Sequence, residues 1–540
     1  MDLGVNTEGN SAIREFIAVV LAGFGNELQP LTSDNGDEPC PKALIPVANT
    51  PVIDYTLSWL EKSGVKDVLL ICPATHRPAL SHHIHSSTST TLVIDVVPFD
   101  ESPDSSIGPC TLLRHFASRI TNDFILLPCD FIPPPTLSLS SILDKFRTET
   151  VSDGAIATTC WFDLNRPADA GKDKTSPPEE WGSAVSPATI VYHEPSGTLL
   201  HIDTPDDVDQ DGEDLKLKMS LLNLQVTVVY ITMAPLSLSS RYPRTVLASR
   251  YQDSHVYVCK HSVIEALQQK EHFDSFKEDF LPWLCKVQYS SSKRKKYERV
   301  LNPITNSPGQ SIALRHSTLA SASNIALKSK SAHHTREATI SPSDSDTEET
   351  PLASLRVGAI IHPYSAGFAV RVNTLPAFLE VNRHFLSQTS YSLPTDPANR
   401  SLIDQKAQIS ADSMVAASTK VEERVSIKKS VIGKHCVISR MARIVGCVIL
   451  DHCVIAEGAK LDGSILGKGT KVGPKAELIR CVTQSGYEVA AGESFKNEKL
   501  EVSDWAATSA SETDDNDEDG ETEGTETTEG DEDEDEDEDN

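Results

Sequence analysis

The 540-residue sequence has no C-x-x-C pair, no apolar run of membrane-spanning length, and too little positive charge for a protein that coats nucleic acid. The 11 cysteines are scattered, so neither a zinc ribbon nor a disulfide framework is suggested, and a reducing compartment fits them best. The run from Phe16 to Ala22 is too short for a signal core, and the polar residues 1–14 before it read as a disordered N-terminus with no export address. Lys and Arg total 49 against 78 Asp and Glu, a net charge of −29. Residues 511–540 hold 19 of those acids and no Lys or Arg, so the preceding 510 residues carry only −10. That block cannot bury enough apolar surface to fold, and 505–540 reads as an acidic, disordered, solubilising tail.

What is present is enough for large cores. Hydrophobic residues make up 39% of the chain, and at ~150 residues per domain its length suggests three or four domains. The first folded stretch begins at Phe16, where a buried strand to Leu21 is followed by a helix over Val52 to Lys62, closed by Gly64. Strands at Val68 to Cys72, Leu92 to Val97 and Phe124 to Leu127, with helical segments between, give the βαβ rhythm of a doubly wound, mainly parallel, Rossmann-like α/β sheet. Ligands in such sheets bind at the carboxyl ends of the strands. Residues 291–354 turn to Ser, Thr, Lys, His and Asp and read as a disordered insertion. The basic run Lys293, Arg294, Lys295 and Lys296 within it is read as solvated linker rather than as a nuclear address or nucleic-acid contact.

The strongest pattern is a repeat of 17. Rows beginning at Val415, Ile432, Ile449 and Leu466 carry aliphatic residues at the first, seventh and thirteenth positions. The seventh-position set is Val421, Ile438, Ile455 and Val472, and the thirteenth is Ile427, Ile444, Leu461 and Leu478. Small or β-branched residues recur at the fifth position (Thr419, Cys436, Cys453, Thr470) and at the eleventh (Val425, Ala442, Ala459, Ala476). Two six-residue units and one five-residue unit per row are what a triangular parallel β-helix requires, one short strand per face with cramped inner corners. Cys436, Cys447, Cys453 and Cys481 fall on small positions, where packing explains them better than metal or redox chemistry. Ile403 and Ile409 suggest a partial coil before Val415, and the pattern fades after Val489.

After the first strand comes Ala22-Gly23-Phe24-Gly25-Asn26-Glu27-Leu28, and later Pro41-Lys42-Ala43-Leu44-Ile45-Pro46-Val47. Glycines after a first strand let backbone N–H groups approach phosphates, and a nearby lysine can neutralise them. A lone Gly-x-Gly is weak evidence. Together with the second cluster and the helix from Pro51, however, the segment resembles the sugar-nucleotide pyrophosphorylases, whose nucleotidyltransferase domain often precedes a hexapeptide-repeat, left-handed parallel β-helix. The resemblance implies a nucleotidyltransferase-like domain over 15–290 plus 355–390, and a β-helix over 400–500.

The same resemblance argues against transfer chemistry. The family's loop continues Gly-x-Gly-Thr-Arg-Leu, its arginine clamping the triphosphate, whereas Asn26 and Glu27 stand at those positions here. A carboxylate there reverses the charge where phosphoryl chemistry needs stabilisation. Two family aspartates hold Mg²⁺. Asp130 matches the first, but Arg371 stands at the second, in Arg371-Val372-Asn373-Thr374-Leu375-Pro376, and a cation cannot ligate magnesium. The family's Glu-Lys-Pro lysine corresponds to Thr204. Gly23, Gly25, Lys42 and Asp130 are then a vestigial nucleotide pocket, with a structural ion pair preferred for Lys42 and Asp130, and no cofactor or metal is expected.

A domain of this kind, a long polar insertion and a β-helix in one degenerate chain resemble the gamma and epsilon subunits of eukaryotic translation initiation factor 2B. The segments Arg371 to Arg383, Leu199 to Asp203 and Asp253 to Val258 look particularly like gamma. Epsilon subunits carry a further helical-repeat exchange domain, and only 40 residues follow Leu500 here. The resemblance therefore implies a non-catalytic, cytosolic partner of epsilon, in a decamer with alpha, beta and delta subunits that loads initiation factor 2 with GTP. Direct nucleic-acid or membrane binding is not implied. The alternative is a mannose-1-phosphate or glucose-1-phosphate nucleotidyltransferase, or its regulatory subunit.

Overall fold

The computed structural model describes residues 15–34, 38–87, 90–100, 107–163, 178, 181–182, 188–203, 245–301, 355–388, 393–394 and 396–502. The acidic tail from 505 and the N-terminal 14 residues lie outside them, as does most of the insertion.

Strand β1 (Phe16–Leu21) sits between β2 (Asp67–Pro73) and β4 (Asp123–Pro128), parallel to both, and β3 (Val93–Phe99) extends this block from β2. Ala18, Val19 and Val20 are wholly buried. That is why β1 reads as an unbroken aliphatic run: helices cover both faces of a parallel sheet, so neither side of the strand meets water. Helix α1 (Val52–Ser63) buries Val52, Ile53, Leu57 and Leu60 and ends at Gly64, whose φ of 82° supplies the left-handed cap.

Beyond β4 the order continues through β9 (Thr245–Cys259), β6 (Ala155–Asp163), β10 (Arg356–His362), β8 (Thr198–Ile202) and β7 (Ala188–His193), nine strands in all. Strand β9 runs antiparallel to both β4 and β6, while β6 and β10 are parallel. The chain thus returns after the insertion to add β10, and places residues 355–388 in this domain. A short antiparallel pair, β5 (Phe131–Ile132) with β11 (Val370–Arg371), leads into helix α8 (Leu375–Gln388).

One boundary differs from the sequence reading. Residues Ser291–Leu301, assigned above to the insertion, form a helix. Leu301 is fully buried, its carbonyl accepts from the Ser262 hydroxyl at 2.7 Å, and Arg294 is buried with its guanidinium donating to the Gln288 carbonyl. Tyr297, Val300 and Leu301 carry a one-turn apolar spacing that the surrounding Lys and Arg residues obscured. The basic run is therefore helical, with one of its four cations in the interior.

From residue 403 the chain winds into the prism. Each face pairs residue i with i+17: Val431↔Val448 and Ile432↔Ile449 on one, Ile438↔Ile455 on the second, Ile444↔Leu461 on the third. None of the twelve repeat aliphatics is more than 3% exposed, and the four repeat cysteines are buried free thiols. Ile403 bridges Val421, and Gln408–Ile409 pairs with Ser426 and Ile427, forming the partial first coil. Pairing runs past Val489, through Ser494–Lys496 and Lys499–Leu500, because backbone bonds persist where the side-chain pattern weakens.

One prism face is buried twice over. Its outward residues Val431, Val448, Ile465 and Val482 join a cluster with Leu28, Val47, Leu375, Phe378 and Leu379 of the α/β domain. A tight turn at Ala48 and Asn49, with φ of 48° and 65°, is pinned in this seam. Asn382 accepts from the Ala48 N–H at 2.9 Å, and the Asn49 side chain donates to the Ile432 carbonyl at 3.1 Å. No described helix is long and apolar enough to cross a membrane.

Candidate functional site

A cleft of about 450 Å³ opens at the carboxyl ends of β1, β2 and β4, where the fold class places ligands. Residues 22–27 form one wall; Lys42, His255, Tyr257, Lys277, Arg371 and Asn373 contribute to the others. Gly25 is required twice over: its φ is 85°, and a β-carbon there would meet the Lys42 side chain at 2.8 Å. A β-carbon at Gly23 meets nothing within 4 Å, so backbone packing does not dictate that glycine. Asn26 and Glu27 lie exposed on a 3₁₀ turn, Asn26–Leu28, anchored by fully buried Leu28.

Asp130, wholly buried, is the centre of an ion-pair triad. Strand β11 lies opposite β5 with Arg371 facing Phe131, and the Val372 N–H donates to the Asp130 carbonyl at 2.9 Å. This register brings the Arg371 guanidinium onto the Asp130 carboxylate as a fork, with Nε to Oδ1 and NH2 to Oδ2 each 3.1 Å. Lys42 Nζ pairs with the same Oδ2. Burial opposes ionisation of Asp130, but Arg371 and Lys42 outweigh it and hold the carboxyl well below the usual range. Burial likewise opposes the charge on Arg371, and Asp130 raises its pKa in spite of it. The neighbouring Cys129 thiol is pushed by burial up to about 12, so it is no nucleophile.

A second buried carboxyl lies nearby. Strand β9 shifts register between Asp253 and Tyr257, with His255 at φ 55°, and the slack turns Asp253 inward. Its carboxylate accepts from the His255 N–H at 2.9 Å and from the Tyr257 hydroxyl. Burial nevertheless pushes the Asp253 carboxyl up to about 6, and drives the His255 imidazole well below its usual range. The folded protein thus holds the Asp253 proton more tightly than the unfolded chain, whose Asp titrates near ~3.9. The resulting stabilisation is complete below about pH 4 and is lost as pH rises through the folded value of about 6. Between pH 5 and pH 7.5 this group alone is expected to remove roughly 1 kcal/mol of stability. Urea unfolding of the wild type and of Asp253→Asn at the two pH values should show that difference vanish in the variant.

Of the sequence-predicted residues, Gly25, Lys42, Asp130 and Arg371 converge, and Gly23, Asn26 and Glu27 line the same cleft. Thr204 lies outside the described residues. Sequence reasoning did not pick out Lys277, Asn373, His255 or Tyr257 as lining the cleft. The last two reach it through a register shift that no residue pattern marks.

These residues do not fit a divalent cation. Asp130 already holds two cations, and among the described residues no cluster of three or more His, Cys, Asp or Glu side chains is placed to hold a metal. The Arg371 guanidinium supplies internally the positive charge that a metal would bring.

Residues 17–165 match the family described as Nucleotidyl transferase, and residues 398–495 match the EIF2B subunit epsilon LbH domain. Over 495 residues, 90% of each chain, the sequence is 29% identical to the Translation initiation factor eIF2B subunit gamma of Schizosaccharomyces pombe. It is 22% identical to the protein of the same name from Dictyostelium discoideum, over 78% of this chain and 88% of that one. A shorter match, 32% identical over 143 residues, covers 25% of this chain and 19% of the eIF2B subunit epsilon of S. pombe. The chain is a relative of the eIF2B gamma subunits, with a nucleotidyltransferase domain followed by a left-handed parallel β-helix.

Proposed function

We propose that this chain is a non-catalytic, gamma-type subunit of a translation initiation factor 2B complex, where it pairs with an epsilon-type subunit to promote GDP/GTP exchange on initiation factor 2. The role in that factor follows from similarity to gamma subunits along nine-tenths of the chain. What carries the non-catalytic half is the Arg371 fork on Asp130. Nucleotidyl transfer needs an open cation site and a positive triphosphate clamp. Here the first is filled by a guanidinium, and the second carries Glu27, an exposed carboxylate at the cleft. The apolar framework under both is intact, as expected of a scaffold kept for assembly. On this reading the partners are epsilon, with alpha, beta and delta subunits in a decamer, and the chain works in the cytosol.

The test is affinity purification of the tagged full chain followed by quantitative mass spectrometry and two assays. Stoichiometric recovery of the four other subunits and release of labelled GDP from initiation factor 2 by the recovered complex are expected. The isolated chain, given nucleoside triphosphates and mannose- or glucose-1-phosphate with magnesium, should release no pyrophosphate. A homo-oligomer that makes nucleotide sugar would reverse the assignment.

A further inference from the structure

A second cavity, of about 720 Å³, lies where α8 runs beside one corner of the β-helix, well within the size range of small-molecule sites. Its floor is set by a single column of the repeat. At that corner successive coils place Lys429, Gly446, Gly463, Arg480 and Asn497, with φ of 48°, 65°, 60°, 54° and 59°. Lysine, arginine and asparagine hold this left-handed backbone as the glycines do, so the turn itself does not demand glycine at 446 and 463. The effect of the two glycines is to omit two side chains from the column. Coils stack ~4.8 Å apart, so Lys429 and Arg480 stand roughly 14 Å from each other at the ends of a notch floored by bare backbone.

The facing wall is apolar with one cation: Leu379, Leu386 and Arg383 from α8, and Trp181. Trp181 is 1% exposed, and its indole N–H has no acceptor among the described residues. A buried donor left unsatisfied is rare in folded proteins and calls for an explanation. Lys428 adds a fourth cation at the rim, and Asp412, which lies beside Lys429, and Asp462 are the two carboxylates, so the cavity lining carries an excess of positive charge.

We propose that this notch binds a small organic anion with an apolar body, a phosphate or carboxylate carried on an aryl or alkyl group. The anionic group meets Lys429 at its end of the notch, and the apolar body extends over the two glycines to pack on Leu386, Ile479 and Trp181. The site is separate from the Asp130 cleft and independent of the role in translation, since it requires neither partner subunits nor a nucleotide.

Isothermal titration of the full chain with phenyl phosphate, benzoate and benzylamine tests it. Saturable one-site binding of at least one anion is expected, with benzylamine bound at least tenfold more weakly; which anion binds tighter identifies the headgroup. Lys429→Glu changes an exposed residue and should weaken anion binding about tenfold. Gly446→Asn combined with Gly463→Asn, a residue this corner already accepts at 497, should close the notch and abolish binding while leaving the thermal unfolding midpoint within a few degrees of wild type. Absence of saturable binding by either anion, or binding unchanged by Lys429→Glu, overturns the proposal.

Discussion

Replacing Arg371 with methionine is expected to destabilise the α/β domain by about 3–5 kcal/mol, because it leaves a wholly buried carboxylate with one cation instead of two. Methionine fills similar volume, so the loss is electrostatic rather than a cavity effect. The companion variant Asp130→Asn combined with Arg371→Met removes two of the three charges and should recover part of that loss, the remainder being the cost of leaving the largely buried Lys42 ammonium without its carboxylate. The pH dependence has a definite sign. Asp130 titrates lower in the folded state than in the unfolded one, so its stabilisation is complete above the unfolded value near ~3.9 and is lost as pH falls toward the folded value. Arg371→Met weakens the attraction that depresses Asp130, and should move acid unfolding to higher pH. Urea midpoints between pH 3 and pH 7 would read both effects. A variant as stable as wild type, with an unchanged acid limb, would show that the triad contributes nothing. Arg371→Asp should be worse still: it places two carboxylates in a buried site with only Lys42 to balance them, and Glu27 remains beside the cleft.

How far the site was legible follows from the kind of information each residue carries. Lys42, Asp130 and Arg371 were found because each sits in a local string whose frame is intact: Pro-Lys-x-Leu-x-Pro-Val around Lys42, a strand end at Asp130, and Val372 to Pro376 after Arg371. Their convergence was not local, since Arg371 is 241 residues from Asp130 and arrives through the β5–β11 pairing. Asp253, His255 and Tyr257 show the opposite limit. Their segment resembles the gamma-subunit pattern, but their inward placement depends on one register shift and on a positive φ at a histidine, and neither has a compositional signature. The β-helix was the most legible element because its long-range contacts repeat: one period of 17 states every pairing at once. Charge misled at 291–301, where Lys and Arg hid a helix whose few apolar residues face inward.

The repeat also makes a sharp test of how the two folded parts hold together. Ile465 and Leu466 are adjacent on one two-residue strand and both wholly buried, yet they belong to different cores. Leu466 points into the prism with the other repeat aliphatics, whereas Ile465 points out into the seam shared with Leu375 and Phe378. Aspartate at either position faces a large desolvation penalty, with its pKa raised by up to about 3–5 units in a fully apolar site. The escape routes differ. An aspartate at 466 reaches water only if the coil opens, and because coil stability depends on nearest neighbours, the coils on both sides should fray with it. An aspartate at 465 reaches water if the prism separates from the α/β domain while every coil stays paired. Leu466→Asp is therefore expected to abolish the folded β-helix, leaving protease cleavage throughout 400–500. Ile465→Asp should instead split one calorimetric transition into two, with cleavage confined to the connection after α8. Indistinguishable cleavage maps for the two variants would mean that the seam and the prism unfold as one cooperative unit.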